Sequence, residues 1–212
     1  MADTFGDLKS LVADDIMRSD LTSQIETEVL GAVSHFQNER FYFNEDRSVS
    51  FTTVNAQEFY SSSDNPNIPN YLEFDSIVLT ANGSRYSLRR TTYDELEDKS
   101  TLSTATGQPF EYAYYNQQLR LYPIPNSTYG CRVSGVLRFT ALSAAGDTNA
   151  WTRGADARDL IRWEAERRIY SAIIKSDEDA ARCAANAMYA LDRLRSETTR
   201  RMSSGRTRPT VW

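Results

Sequence analysis

The stretch that decides the fold is residues 156–202, DARDLIRWEAERRIYSAIIKSDEDAARCAANAMYALDRLRSETTRRM. Its first half repeats an apolar residue at every fourth position: Ile161, Ala165, Ile169 and Ile173. Charged residues fill most of the positions between them. Recurrence at three and four residues is typical of a helix with one buried face. The pattern therefore predicts an amphipathic helix over about 156–175.

The pattern breaks at Ser176. Its hydroxyl can cap a new helix, and the run Asp177–Asp179 follows where a helix N-terminus favours anions. A second helix is thus predicted over about 177–202, with a cationic end that suits the negative helix terminus. Its inner face is predicted to be made mostly of small residues: Ala180, Ala184, Ala187, Met188, Leu191 and Leu194.

The periodicity stops after Met202. Residues 203–212, SSGRTRPTVW, are polar and basic, and they hold too little apolar surface to order themselves. Their last residue, Trp212, is a large aromatic side chain that suits a pocket on a partner. Ten extended residues span roughly 33 Å. We expect an extended, flexible C-terminal arm that reaches a partner, the alternative being a frayed terminus.

The rest of the chain changes period along its length. Two amphipathic helices are predicted near the N-terminus, the first opening at Thr4 or Asp7 and the second running from Thr22 or Ser23 to about Asn38. From about 41 the apolar residues alternate with polar ones, which favours about six short strands. Asn82–Gly83 predicts a hairpin turn, and Thr92 with Glu95 predicts a capping box.

These elements predict an α+β fold. We expect a four-helix bundle core formed by residues 1–40 and 150–202, because the other three helices are the simplest cover for each amphipathic face. A β-rich insertion, 41–149, lies between the second and third long helices, and the arm 203–212 extends from the end.

Composition narrows the classes of function. No apolar run is long enough to span a membrane, and the first ten residues do not form a signal peptide. Two cysteines, Cys131 and Cys183, are too few for a secreted disulfide scaffold and favour a reducing cytosol. Residues 150–212 hold 13 basic and 9 acidic side chains, against 11 and 20 elsewhere. Such a dipolar chain favours docking between charged faces, while its overall acidity disfavours sequence-specific DNA binding.

The sequence offers little for catalysis. Its single histidine, His35, lies in a predicted helix far from either cysteine, and no metal, nucleotide or phosphate motif occurs. Carboxylates cluster at 94–98 and 177–179, but helix-end electrostatics explain both clusters. Four tyrosines, Tyr112, Tyr114, Tyr115 and Tyr122, fall on adjacent strands, where cross-strand packing or a subunit interface is favoured over base stacking. We therefore predict no enzyme activity, no cofactor and no metal.

Two strings carry a resemblance to a known family. The helix DLTSQIETEVL at 20–30 leads to RFYFNE at 40–45, and a strand segment reads QLRLYPIP at 118–125. Together with the late helices and the basic tail, these resemble the head-to-tail adaptor, or connector, proteins of tailed bacteriophages.

The resemblance implies a structural virion protein at the head–tail junction, made in the host bacterial cytoplasm. Such proteins form a ring, here of about twelve copies, that joins the portal to the tail and extends the DNA channel. The partners implied are the portal protein, a tail nozzle or next tail component, neighbouring copies, and passing DNA contacted non-specifically if at all; no membrane is implied. The portal-binding arm residues would be Arg206, Arg208, Pro209, Val211 and Trp212.

Two alternatives stay open at the level of sequence. One is another tail-completion or tail-tube ring protein, which would not contact the portal. The other is a tail-associated cell-wall hydrolase, which would need two carboxylates across a cleft, about 5 to 10 Å apart.

Overall fold

A computed structural model describes residues 4–102, 104–139 and 141–202. Within them the chain is an α+β fold with six α-helices: α1 (Phe5–Asp15), α2 (Thr22–Phe36), α3 (Tyr93–Leu102), α4 (Ala150–Arg153), α5 (Ala155–Ile169) and α6 (Asp177–Met202). A 3₁₀ turn spans Ile68–Asn70, and a π-helical turn, Tyr170–Ile174, continues α5.

Eleven strands lie between α2 and α4, several of them only two residues long: β1 (Glu45–Asp46), β2 (Ser50–Thr52), β3 (Phe59–Tyr60), β4 (Tyr71–Ala81), β5 (Ser84–Ser87), β6 (Arg89–Arg90), β7 (Thr106–Gly107), β8 (Glu111–Tyr115), β9 (Gln118–Tyr122), β10 (Ile124–Pro125) and β11 (Gly130–Leu137). The main sheet has the order β1-β11-β4-β5, with β2 also paired to β11. A second sheet has the order β3-β9-β8-β6, and β10 pairs with β7 in a small parallel ribbon.

The chain divides into two compact units. The helical unit takes both ends of the sequence, Met1–Phe43 and Phe139–Trp212, and the β unit is the continuous stretch Asn44–Arg138. Each unit buries an apolar cluster of its own.

In the helical unit α5 is the central element. Helices α1 and α2 pack against it, and α6 runs along it after the π-helical turn. Leu160, Ile161 and Ala165 of α5 are fully buried among these neighbours. Trp151 of α4, also fully buried, sits within 5.0–6.5 Å of the rings of Phe41, Phe43 and Phe139. This aromatic cluster joins the two ends of the chain in one core.

The expected four-helix bundle core is wrong. A bundle needs four helices of comparable length around one shared apolar seam. Here α1 has 11 residues and α6 has 26, so α1 is less than half as long as α6. Helix α5 also buries the carboxylates of Glu164 and Glu166, whose partners come from charged side chains. The helices are therefore arranged around α5, and the fold is a mixed α+β one.

Local signals place the helix ends. Thr4 and Asp7 form a reciprocal capping box at the start of α1. At the other end of the unit, the break between the last two helices falls where Ser176 predicts it: Lys175 takes a left-handed conformation (φ 63°), and Ser176 Oγ accepts a hydrogen bond from Asp179 N at 3.4 Å.

The β unit is built on the long antiparallel pair β4 and β11. The main sheet and the second sheet both contribute to one core, which includes Ile77 and Leu79 of β4 and Leu119 and Leu121 of β9. The register shifts at Gly135, where a Cβ would lie 2.1 Å from the carbonyl oxygen of Glu73, so only glycine fits at this bulge.

The predicted turn at Asn82–Gly83 joins β4 to β5. Both residues have positive φ, as the two-residue hairpin requires. Thr92 and Glu95 form the expected capping box, and α3 then runs on to Leu102. In the described part of the chain, no helix is both long and apolar enough to cross a membrane.

Candidate interaction surface

Helix α6 has one buried side. Cys183, Ala187, Ala190, Leu194 and Thr198 are all less than a tenth exposed and recur at three and four residues. Met188, which the small-residue pattern placed on this side, instead lies outside. The reason is periodicity: residues 187 and 190 already occupy the buried side, and 188 falls about 100° away from 187.

The opposite side of α6 exposes large apolar side chains to solvent. Met188 and Tyr189 are each 68% exposed. Around them lies what we call the outer face of α6, a continuous set of exposed residues: Glu178, Ala181, Arg182, Ala185, Met188, Tyr189, Asp192, Arg193, Ser196 and Arg200. Arg193 lies 5.9 Å from the Tyr189 ring and pairs with Asp156 at 2.7 Å. A large exposed apolar pair within a polar rim is typical of a protein-binding surface.

The last turns of α6 are fixed to the segment that follows α2. Thr198 Oγ1 accepts a hydrogen bond from the Tyr42 amide at 3.2 Å and donates one to the Leu194 carbonyl at 2.7 Å. Arg195 forms a double ion pair with Glu39, and the guanidinium of Arg201 lies 3.9 Å from the Tyr42 ring. The point from which residues 203–212 continue is thus held by the body of the unit. The predicted arm residues Arg206, Arg208, Pro209, Val211 and Trp212 lie outside the described residues.

Charged side chains inside the helical unit pair with one another. Glu164 accepts from Arg167 at 2.7 Å and from Arg168 at 2.8 Å. Burial raises the pKa of Glu164, but these two partners outweigh it, and the net effect is a lowered pKa. Both pairs lie within α5 itself, and Arg168 also reaches Glu28 of α2 at 3.9 Å.

The pKa of Glu166 is shifted in the opposite direction, upwards. Burial, and then the neighbouring carboxyl of Asp15, raise the pKa of Glu166 to about 7, although Arg162 opposes the shift. Arg162 Nε contacts Asp15 at 2.5 Å and Glu166 at 3.1 Å, so one guanidinium serves two carboxyls. The Cys183 thiol donates to Glu166 at 3.6 Å. This cluster joins α1, α5 and α6.

In the β unit, Arg120 is the central charged residue. Its side chain is 4% exposed and contacts Glu58 at 2.6 Å and Glu97 at 2.5 Å. Its guanidinium lies 5.3 Å from the Phe59 ring and 5.1 Å from the Tyr93 ring. Two carboxylates of the 94–98 cluster thus have different roles: Glu95 caps α3, and Glu97 holds α3 to β9 through Arg120. These roles are structural.

Other groups that could serve chemistry are scattered. His35 is exposed, with its ring 4.7 Å from that of Phe36. Burial raises the pKa of the Cys131 and Cys183 thiols to about 12, and the nearby Glu166 carboxyl adds to the rise at Cys183. Neither cysteine forms a disulfide. Tyr112 is buried, while Tyr115 on the other face of β8 is 66% exposed, so the tyrosines do not form one platform. Among the described residues no group of three or more His, Cys, Asp or Glu could hold a metal ion.

The described residues thus include a long helix whose outer face carries an exposed apolar pair at its middle, with charged side chains on either side of that pair. A family model described as SU10 adaptor protein matches residues 3–210, nearly the whole chain. No curated protein matches the chain.

The chain belongs to the SU10 adaptor protein family, and the protein is a phage structural adaptor. The resemblance carried by the 20–30, 40–45 and 118–125 strings is confirmed. As a phage adaptor it is a component of the virion and binds other proteins of the phage head or tail.

Proposed function

We propose that this protein forms the head-to-tail adaptor ring that joins the portal to the tail and extends the DNA channel. The ring contains about twelve copies, each contacting its neighbours through different faces. The family match over residues 3–210 is the observation that carries the proposal. The protein acts by binding, without catalysis, at the head–tail junction.

The portal is contacted by the C-terminal arm. Residues 203–212 combine two arginines, a proline and a terminal Val–Trp pair, and the last turns of α6 are held by Thr198, Arg195 and Arg201 against the 39–42 segment. A root held by the body of the unit, followed by a basic segment that ends in an aromatic residue, supports a grip on a neighbouring protein. Arg206 and Arg208 supply charge-assisted contacts, and Val211 and Trp212 fill a pocket.

A single arm binds weakly, because fixing a ten-residue polar segment on a partner costs conformational entropy. Many arms held in one ring bind strongly, because each docked neighbour raises the effective concentration of the next. We expect a monomer or small oligomer in isolation and a ring only on the portal. A stable dodecamer seen by sedimentation of the purified protein alone would contradict this account.

The test is removal of Gly205–Trp212. Truncation leaves the thermal unfolding midpoint unchanged, because the body of α6 is intact, and abolishes co-sedimentation with purified portal rings. A matched control replaces the same eight residues by a Gly-Ser segment of equal length, and it fails to bind in the same way. Trp212→Ala weakens binding without altering the fold. Unchanged portal binding by the truncated protein would remove the arm from the mechanism.

The ring itself is tested separately. Electron microscopy of assembled particles, with an antibody fragment against the β unit, locates the protein. We expect a ring between portal and tail. A position elsewhere in the tail would indicate a tail-completion or tail-tube role within the same adaptor family.

A further inference from the structure

The midpoint of α6 coincides with its exposed apolar pair. The helix spans Asp177–Met202, 26 residues, and its centre falls beside Tyr189. Met188 and Tyr189 are 68% exposed, and Ala181 and Ala185 continue the same side towards the N-terminus. The outer face of α6 is therefore apolar where a partner helix crossing its centre would touch it.

Glu178 and Arg200 lie near the two ends of this face and are opposite in charge, while Arg182, Asp192 and Arg193 lie between them and Arg182 and Arg193 pair within the subunit. Glu178 lies eleven residues before Tyr189, beside Asp177 and Asp179, and Arg200 lies eleven residues after it. At 1.5 Å per residue each is about 16 Å from the centre. The Arg200 side chain is 78% exposed, so it presents donors outwards although it also pairs with Glu197 of its own helix.

We propose that α6 pairs with α6 of a second copy of this chain, antiparallel, about a two-fold axis at Tyr189. This arrangement is self-complementary, because each Glu178 then faces Arg200 of the other copy and the Met188 and Tyr189 side chains close the centre. A parallel pairing would instead place Glu178 against Glu178 and Arg200 against Arg200. The charges of Glu178 and Arg200 thus favour an antiparallel second copy over a parallel one.

The pairing separates the two arms. The C-terminal ends of two antiparallel helices of 26 residues lie about 39 Å apart and point in opposite directions. If the arms bind the portal as proposed above, the dimer cannot present both to one portal face. It is then a storage form that dissociates as the ring assembles, and this consequence alone rests on the proposed function.

The first experiment measures the oligomeric state of the full-length protein without portal. Sedimentation velocity over a range of concentrations shows a reversible dimer with a Kd on the order of 10–100 µM, as suits one helix face. Glu178→Arg and Arg200→Glu each raise the Kd at least about tenfold. The double variant E178R/R200E restores dimerisation, because each of the two symmetric contacts again joins an acidic side chain to a basic one. A monomer at every concentration would overturn the proposal.

The second experiment reads the direction of pairing. Tyr189→Cys places a thiol at the two-fold axis, and mild oxidation yields a disulfide-linked dimer. Cys131 and Cys183 are at most 2% exposed and stay out of the reaction. Glu178→Cys is the control, since in the antiparallel pair its two copies lie about 33 Å apart and do not cross-link. Efficient cross-linking of Glu178→Cys, or no restoration by E178R/R200E, would refute the antiparallel arrangement.

One other occupant of the outer face is distinguished by truncation. Removal of Gly205–Trp212 leaves the dimer Kd within about threefold of the full-length value if α6 itself is the contact. Loss of the dimer on truncation would assign the contact to the arm and overturn the proposal. None of these measurements involves portal binding, so their outcome is independent of the proposed function.

Discussion

Helices α5 and α6 are neighbours in the chain, but α5 buries charged side chains whereas α6 exposes apolar ones. Helix α5 buries two carboxylates, Glu164 and Glu166, each supplied with a guanidinium partner from the same unit. Helix α6 exposes an apolar pair, Met188 and Tyr189, to solvent. Buried charge is tolerated only when it is paired, whereas exposed apolar surface is stabilised when a partner covers it. Helix α5 therefore serves the fold of one subunit, whereas α6 packs by one side on that subunit and leaves its outer face exposed.

The largest expected effect is the difference in unfolding free energy between removing a buried side chain of α5 and removing an exposed one of α6. Leu160→Ala in α5 removes a fully buried side chain and destabilises the protein by about 3 kcal/mol, through lost apolar contact and a cavity. Tyr189→Ala in α6 is the matched control and changes the free energy of unfolding by less than about 0.5 kcal/mol. Urea denaturation at a concentration where the protein is monomeric measures both. Comparable losses in the two variants would remove the distinction.

The next effect uses the raised pKa of Glu166. Below the unfolded pKa of 4.5 the group is protonated in both states, and it contributes no pH dependence. Between 4.5 and about 7 the folded protein binds the proton more tightly, so stability falls as pH rises through this window and stays lower above it. Glu166→Gln removes this loss, on the order of 2 kcal/mol, and is more stable than the wild type at pH 8 but not at pH 4.

The smallest effect sharpens the comparison within α5 itself. Glu164 has a lowered pKa, so its stabilisation is present above the unfolded pKa and is lost as pH falls through the folded value. Glu164→Gln therefore costs about 1 kcal/mol near neutral pH, and the cost disappears in acid. Glu178→Gln, an exposed carboxylate on α6, is the control and has little effect on unfolding of the monomer. Equal pH profiles for the Glu164 and Glu166 variants would show that their surroundings do not differ as described.

Local features of the fold were predictable from the sequence, because a few neighbouring residues determine them. The Ser176 break, the Asn82–Gly83 hairpin and the Thr92 capping box all follow from backbone and capping chemistry within a turn. The four-helix bundle was wrong because helix partners are chosen by tertiary packing, and no local pattern reports that α5 takes the centre.

The candidate surface was predicted less well. Apolarity alone placed Met188 inside, since the sequence does not show that Cys183 and Ala190 already complete the buried side of α6. The pair at 188–189 was still a usable signal, because two adjacent residues cannot both lie at the centre of one helix face. The portal-binding role of the arm, and its residues Arg206 to Trp212, stays a prediction.

The division into units also bears on the order in which the protein is made. Because the helical unit draws on both ends of the chain and the β unit is continuous, α1 and α2 leave the ribosome well before α5, the helix they pack against. The whole of the β unit has emerged in the meantime and can fold first. Protease digestion of nascent chains stalled after residue 170 would reveal a protected β fragment beside unprotected N-terminal helices. Translation of the last quarter is then the step that commits each molecule to its native state.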